Sequence, residues 1–532
     1  MKKTLLIAIT ALVATAAEAQ PIMVKDIYQG TKSSSPSEYV GIGNKVYFKT
    51  RDTLNPYGIS YLYESDGTDA GTKKLLKLGN SNHFKAFNNK ILFVDDTTGG
   101  TNWEPYITDL TQAGTFKLKE IYPGLGVGSG AACDAVIGNT AFLFGSASGQ
   151  YGFWKTDGTS NGTTLMFYAD RNRAIVFNNK VYFWGKYNNV TGLWSFDASS
   201  TTPTLIKKHI NPAYGDFALA IDSNSFYYVA NDSTHGFEPW VSDGTPTGTA
   251  MIKDINPGIT RSCDEGGSGN YTSMAIMNNK MYFNPVSPTI GRELWETNGT
   301  DAGTKLAIDI TPGSGSSSLK FSTAIGNILY FSVKSSGNNV LWSSDGVTAA
   351  PLLDKNNSTI AFNSPGLVIG NKLFFTGTPL GAQDIGDEPF ITDGTPAGTE
   401  LLLDIDPTPY SGGISQQSDG LPILVGNTIY FGANDNVHGT ELWKYTAGAV
   451  TAINNVAGSA PFFSLYPNPA SNQLTLVSNE TIKTVEVYSI TGVLQRTMPF
   501  TPQIDISDMA TGLYFIKAFS DKGISIQKFV KQ

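Results

Sequence analysis

The sequence predicts an all-β chain: a β-propeller of about eight or nine four-stranded blades, followed by a small C-terminal β-sandwich. Three observations carry this. An Asp-Gly-Thr turn recurs behind an aromatic residue, as in "GFEPWVSDGTPTGT" (236–249), "GRELWETNGTDAGT" (291–304) and "GDEPFITDGTPAGT" (386–399). A short hairpin with Asn at its turn alternates with it, as in "FNNKVYF" (177–183) and "VGNTIYF" (425–431). The composition, with 56 Gly, 26 Pro and only 15% charged residues among 532, suits many short strands joined by tight turns.

The N-terminal segment stands apart from that pattern. "MKK" is a basic start, "TLLIAITALVATA" an apolar run and Ala17-Glu18-Ala19 a small-residue cleavage site, so residues 1–19 read as a signal peptide cut between Ala19 and Gln20. No later stretch approaches the roughly 20 apolar residues of a membrane helix, and no transmembrane helix is expected. A net charge of −8 argues against nucleic acid as a partner, because phosphates call for clustered Lys and Arg. Two cysteines, Cys133 and Cys263, sit at non-equivalent positions of different repeats, and two are too few for a cysteine-built metal site.

Residues 20–458 carry the repeats. The Asn hairpin occurs nine times, roughly 40 to 56 residues apart. The aromatic position of the other phrase is Tyr63, Tyr106, Trp154, Trp194, Trp240, Trp295, Trp342, Phe390 and Trp443, which takes six of the eight tryptophans. A third phrase, as in "IKDINPG" and "AIDITPG", closes the unit. Asn-Gly and Asp-Gly suit tight hairpins because both residues tolerate positive φ. Four strands in a meander every 48 or so residues is the pattern of a propeller blade; a solenoid is the rival, though β-helix repeats are shorter. The Asp-Gly-Thr turn is expected to join the third and fourth strands, with its aromatic packed between blades. Its role resembles that of the Asp-box turns of sialidase propellers, which shape the blade. "MVKDI" (23–27) is already a fourth strand and is expected to complete the last blade, although "AVTAINNV" (449–456) offers another. The unit carrying "DASSTTP" (197–203) is the weakest copy.

After a linker at 459–462, residues 463–532 change character to period-two alternation with new turns, which predicts a sandwich of six or seven strands. The quoted residues are Tyr466-Pro467-Asn468-Pro469, the Gly492 turn, Gly512-Leu513-Tyr514 and the closing Lys528-Phe529-Val530-Lys531. Together and in this order they resemble the type A sorting domain of the type IX secretion system of Bacteroidetes. That resemblance implies export to the outer cell surface by the type IX machinery. It also implies removal of the domain by a sortase-like peptidase and attachment to surface lipopolysaccharide. The repeats likewise resemble the ELWxxDGT repeat family, which implies no particular activity.

Motif searches for chemistry return little: no H-E-x-x-H, no P-loop and no G-x-S-x-G. Two of the four histidines share a context. "DSTHGFE" holds Asp232, His235 and Glu238, and "DNVHGTE" holds Asp435, His438 and Glu441, both between the second and third strands. The glutamate recurs as Glu104, Glu293 and Glu388, while Tyr61, Gly152, Gly192 and Val340 replace it elsewhere. These loops are expected on the face that also receives the fourth-strand acids Asp26, Glu120, Asp254, Asp309, Asp354 and Asp404. The candidate ligand-binding set is therefore Asp232, His235, Glu238, Glu293, Glu388, Asp435, His438 and Glu441. "GAQDIGDE" adds a candidate calcium loop with Asp384, Asp387 and Glu388, though no cofactor is firmly implied. No catalytic residue is assigned. The leading expectation is a binding or adhesion module for a glycan or protein. The rivals are a polysaccharide-degrading enzyme using Glu238, Glu293 and His235, and a structural surface protein.

Overall fold

The computed structural model describes residues 19–51, 59–96, 102–123, 128–147, 149–210, 219–263, 273–335, 337–362, 366–381, 385–408, 413–414, 420–447, 463–478, 480–489, 494–507, 509, 512–520 and 523–532. The signal segment 1–18, "AVTAINNV", the linker, Gly492 and Asp384 lie outside them. The chain forms two compact units, 1–447 and 448–532.

Among the described residues the first unit is a propeller of nine antiparallel meanders, seven of them separate four-stranded sheets and two joined in one nine-stranded sheet. Blade 1 comprises Ser37–Ile42, Lys45–Arg51, Ser60–Ser65 and Lys73–Leu78. Blades 2 to 8 span 82–117, 132–168, 170–208, 219–251, 274–308, 320–351 and 367–401. Blade 9 takes Ile423–Val425, Thr428–Asn434 and Thr440–Thr446 from one end of the chain and Ile22–Lys25 from the other. Ile22 lies opposite Lys444 and Met23 opposite Trp443, so the N-terminal strand completes the last blade as expected. The first strand of blade 1 also lies against that of blade 9, and Gly41 lets Val425 approach to within 3.1 Å of where a Cβ would stand. The unit with "DASSTTP" is a complete blade, Asp170–Phe177 to Thr204–Lys208, and Asp197 still accepts from the N–H and hydroxyl of Ser199.

The recurrent turn works through one hydrogen-bond set. In blade 1, Asp66 accepts from the Thr68 N–H (2.9 Å) and hydroxyl (2.7 Å), and the Thr68 hydroxyl accepts from Gly71 N–H (2.9 Å). Thr72 donates to the Thr68 carbonyl, and Ser65 accepts from Gly67 N–H. The same contacts recur around Asp109, Asp157, Asp243, Asn298 and Asp393. Because the acceptor is an oxygen in every copy, Asn298 serves as well as Asp.

The aromatic residues ahead of these turns fill the wedges between blades. Trp240 packs with Trp184 and Tyr182 of blade 4, Trp194 with Phe142 and Phe153 of blade 3, and Trp443 with Phe374 and Ile391 of blade 8. A second lock joins a second-strand tyrosine to the next blade's turn glycine. The Tyr182 hydroxyl donates to the Gly244 carbonyl (3.2 Å), and a Cβ at Gly244 would fall 2.3 Å from that oxygen. Gly244 has φ +88°. Gly244→Ala therefore combines left-handed backbone strain with a blade-to-blade clash, and we expect a loss of about 2–4 kcal/mol in chemical denaturation.

The second unit packs the sheet Phe463–Tyr466, Gln473–Ser478, Gln503–Asp505 with the sheet Leu494–Pro499, Ile482–Ser489, Gly512–Ser520, Gly523–Lys531. Leu474, Val485, Val487, Ile504, Ile516 and Phe529 form its core. Cys133 and Cys263 are not joined in a disulfide, and Cys263 is buried.

Candidate functional site

The loops between second and third strands share a face with the links between blades. Gly236 backs onto Ile259 and Arg261 of the link leaving blade 5, and Gly439 onto Lys32 and Ser33 of the link leaving blade 9. Each of the candidate glutamates is the first or second residue of the third strand or stands just before it, where its side chain turns inward. Glu104, Glu238, Glu293, Glu388 and Glu441 are all 0% exposed.

Their carboxylates gather the donors of the link. Glu238 accepts from Ile255 N–H (3.1 Å), Ser262 N–H (3.0 Å) and the Ser262 hydroxyl. Glu293 accepts from Ile310 N–H, Thr311 N–H and both donors of Ser317. Glu388 accepts from Ile405, Asp406 and Gly413 N–H, and Glu441 from Ile27 N–H and both donors of Ser34. Glu104 repeats the set with Ile121, Tyr122 and Ser129. The acid and the isoleucine of this phrase therefore lie just past the fourth strand, not in it: the Ile N–H donates to the carboxylate and not to the ladder.

The clasp goes with a long link, except after the blade with Gly192, whose link 209–218 is long and has no such glutamate. Links with the glutamate are long: 26–36, 118–131, 252–273, 309–319 and 402–422. A looped backbone that turns away from its sheet leaves N–H groups needing an acceptor. Where Tyr61 stands the link is only 79–81, and where Gly152 stands it is residue 169 alone. Where Val340 stands, the link supplies the strand Ile360–Phe362, which pairs Ala361 with Val340 and joins blade 7 to blade 8. Burial pushes Glu238, Glu388 and Glu441 up to about 7, and Glu293 upward, against the pull of the converging donors.

Asp232 with His235, and Asp435 with His438, remain on the accessible side. His235 Nδ1 lies 2.8 Å from Asp232 Oδ2 and His438 Nδ1 2.6 Å from Asp435 Oδ2. The histidines are 38% and 35% exposed. Asp232 Oδ1 also accepts from the N–H groups of Thr234 and His235, and Asp435 Oδ1 from those of Val437 and His438, so each aspartate shapes its loop and orients its imidazole. Burial acts to raise both aspartates, but these bonds outweigh it and hold them below the usual range. Each histidine is raised by its bond to aspartate. By contrast His209 is buried among Tyr228 and Trp240, and burial pushes it down to about 4.

The candidate calcium loop is divided. Glu388 serves its clasp, and Asp387 Oδ1 accepts from the Thr378 hydroxyl (2.7 Å). Among the described residues no three His, Cys, Asp or Glu side chains converge as a metal site. The acids just past the fourth strands, Asp26, Asp254, Asp309 and Asp404, each keep one buried oxygen without a partner among the described residues, beside the clasps. The serines of the clasp, Ser34, Ser129, Ser262 and Ser317, escaped the sequence reading. For Ser129, Ser262 and Ser317 the signal is a serine 24 or 25 residues after the glutamate, with isoleucine 17 after it, whereas Ser34 comes to Glu441 from the other end of the chain.

In the second unit the quoted sorting residues meet at one corner. Asn468 Oδ1 accepts from Val530 N–H (2.9 Å) and Asn468 Nδ2 donates to the Lys528 carbonyl (2.9 Å). Tyr514 stacks on Phe529 at 5.5 Å, and Gly512 lies opposite Lys531. Pro467 and Pro469 flank Asn468 in cis linkages, and Tyr466 is exposed. Leu513 lies opposite Val530. Ala19 and Gln20 precede Ile22–Lys25, so cleavage between them would leave the closing strand whole.

Comparison with known proteins agrees with this division. A family model described as a secretion system C-terminal sorting domain matches residues 464–532. No curated protein matches the chain. Among solved structures, a prolyl endopeptidase is similar at 10% identity and TM-score 0.38, covering 82% of this chain and 54% of that one. The β-propeller domain of the Trilobed protease from Pyrococcus furiosus is similar at 14% identity and TM-score 0.31, covering 61% and 99%. An oligogalacturonate lyase in complex with manganese is similar at 11% and 0.34, covering 69% and 99%. This chain thus spans about half the length of the endopeptidase, and such likenesses concern the fold alone. The terminal domain places the chain among proteins sorted by type IX secretion to the exterior or the cell surface: it is an exported β-propeller with a C-terminal sorting domain.

Proposed function

We propose that the propeller is a binding or adhesion module for a carbohydrate or protein ligand, presented at the cell surface. The observation that carries this reading is the recurrence of one half-buried, oriented Asp–His pair in blades 5 and 9, since a multivalent binder repeats its contacts. Glu238, Glu293, Glu388 and Glu441 support that face from behind by fixing the links. The enzymatic alternative needs a carboxylate pair such as Glu238 and Glu293 free to exchange protons with substrate, and both are saturated with donors. The resemblance of the repeats to the ELWxxDGT family belongs to the same proposal. So do sortase removal of residues 463–532 and attachment to lipopolysaccharide.

The test is retention of the mature protein on immobilised polysaccharides and on protein-coated surfaces, with and without calcium, while released oligosaccharide is assayed. Retention without product is expected, and His235→Ala with His438→Ala should weaken it about tenfold, a change of roughly 1.4 kcal/mol. Released sugar would overturn the binding reading.

A further inference from the structure

We propose that the cleft between blades 3 and 4 is a subsite for a neutral oligosaccharide, with Tyr151 as its stacking platform. The proposal rests on the reading of the propeller as a binding module and names a ligand class for a place outside the Asp–His loops.

The cleft exists because the ring's pattern breaks here. Blade 3 has Gly152 where five other blades carry the clasp glutamate, and its link to blade 4 is Ala169 alone, whose N–H donates to the Tyr151 carbonyl (3.0 Å). With no long link to cover it, this corner stays open. A Cβ at residue 152 would stand 3.2 Å from Tyr168 Cδ1, so glycine makes room for that ring. The opening measures ≈ 290 Å³, near the lower end of small-ligand sites.

Its surface joins a firm aromatic to unused polar groups. Tyr151 is 53% exposed and Tyr168 44% exposed. Tyr151 stacks on Phe144 with ring centres 5.7 Å apart and planes 7° from parallel. Phe144 in turn carries the Arg171 guanidinium 4.4 Å from its centre, and Arg171 is tethered to Asp134. Around the opening, the side chains of Gln150, Asp170, Lys186 and Asn188 make no hydrogen bond or ion pair among the described residues. Asp170 stands opposite Lys186 in the strand register, so the cleft has one charge of each sign at its rim.

That combination selects the ligand by exclusion. An apolar molecule would find one ring face and no enclosing wall. An anion or a cation would meet a group of its own sign at the rim as well as one of the other. A sugar ring offers an apolar C–H face whose slight positive charge suits the negative face of an aromatic ring, and hydroxyls that both donate and accept. Carboxylate, ammonium and amide groups at the rim match those hydroxyls.

The experiment is affinity electrophoresis of the mature full chain, residues 20–532, in gels containing xylan, mannan, laminarin or hydroxyethyl cellulose. The wild type should be retarded by at least one of these. Tyr151→Ala should weaken that retardation about tenfold, as loss of a stacking contact near 1.4 kcal/mol predicts. Tyr151→Phe, which keeps the ring, should stay close to wild type. Unchanged retardation in Tyr151→Ala, with the melting curve confirming a folded protein, overturns the proposal. If retardation is lost only in the His235→Ala, His438→Ala protein, or if the wild type binds protein surfaces and no polysaccharide, the binding-module reading survives and this subsite does not. Binding to neither overturns both.

Discussion

Glu238→Ala is expected to cost about 3–5 kcal/mol of stability, more than any exposed acid on the same face. The substitution strands the Ile255 N–H and the Ser262 hydroxyl at a fully buried acceptor, and leaves the Ser262 N–H with the Phe237 carbonyl alone. Each buried donor left without a partner costs roughly 1–3 kcal/mol, and the truncated side chain leaves a void beside the link. Glu238→Gln should recover little, because its amide brings two further donors to a place already crowded with them. Urea denaturation gives the free energy, and amide exchange at Ser262 locates the damage, which should be confined to the 252–273 link and its neighbours. A variant as stable as wild type but unable to bind ligand would return Glu238 to the binding face, and with it Glu293, Glu388 and Glu441.

The sequence shows the glutamates but not their partners, and that explains much of what was legible and what was not. Local chemistry was readable: an oxygen, a glycine at positive φ and a threonine within a few residues define the Asp-Gly-Thr turn without tertiary help. The aromatic ahead of it repeats for a packing reason and was found in the wedge it was assigned. Closure by Ile22–Lys25 was legible because that strand had no partner nearby in sequence. The clasp is different. An acid at the start of a strand reads as exposed until its donors, 17 and 24 residues downstream, are brought to it. The same shortfall displaced the acid and isoleucine of "KDI" into the fourth strand, since only the carboxylate explains why that N–H leaves the ladder. Ile360–Phe362 escaped because it pairs across two blades. Asp232 and His235 are legible together, being three residues apart in one loop, whereas Tyr151 and Tyr168 come to one cleft only through the pairing of the third and fourth strands of blade 3.

Stability should peak at mildly acidic pH and fall between pH 5 and 8, and the sign follows from the clasps. Glu238, Glu388 and Glu441 have folded values of about 7 against roughly 4.3 in an unfolded chain, so the native state holds protons that the unfolded state has released. Their contribution is complete below about pH 4.3 and is lost as pH rises through 7. His235 and His438, raised by their aspartates, act in the same direction: their contribution is present below about pH 6.5 and lost above their folded values. The turn aspartates Asp66, Asp109, Asp157 and Asp243 act oppositely. Threonine hydroxyls and N–H groups lower them, so their contribution is present above about pH 3.9 and fades as pH falls through the folded values. Melting temperatures measured from pH 3 to 9 should therefore rise to a maximum near pH 5 and then decline. Replacing Glu388 with Gln should lower the whole curve and shallow its alkaline limb, because one proton fewer is released there. A curve that stays level from pH 5 to 8 would mean that the converging N–H groups hold the clasps ionised, hydrogen bonding having outweighed burial.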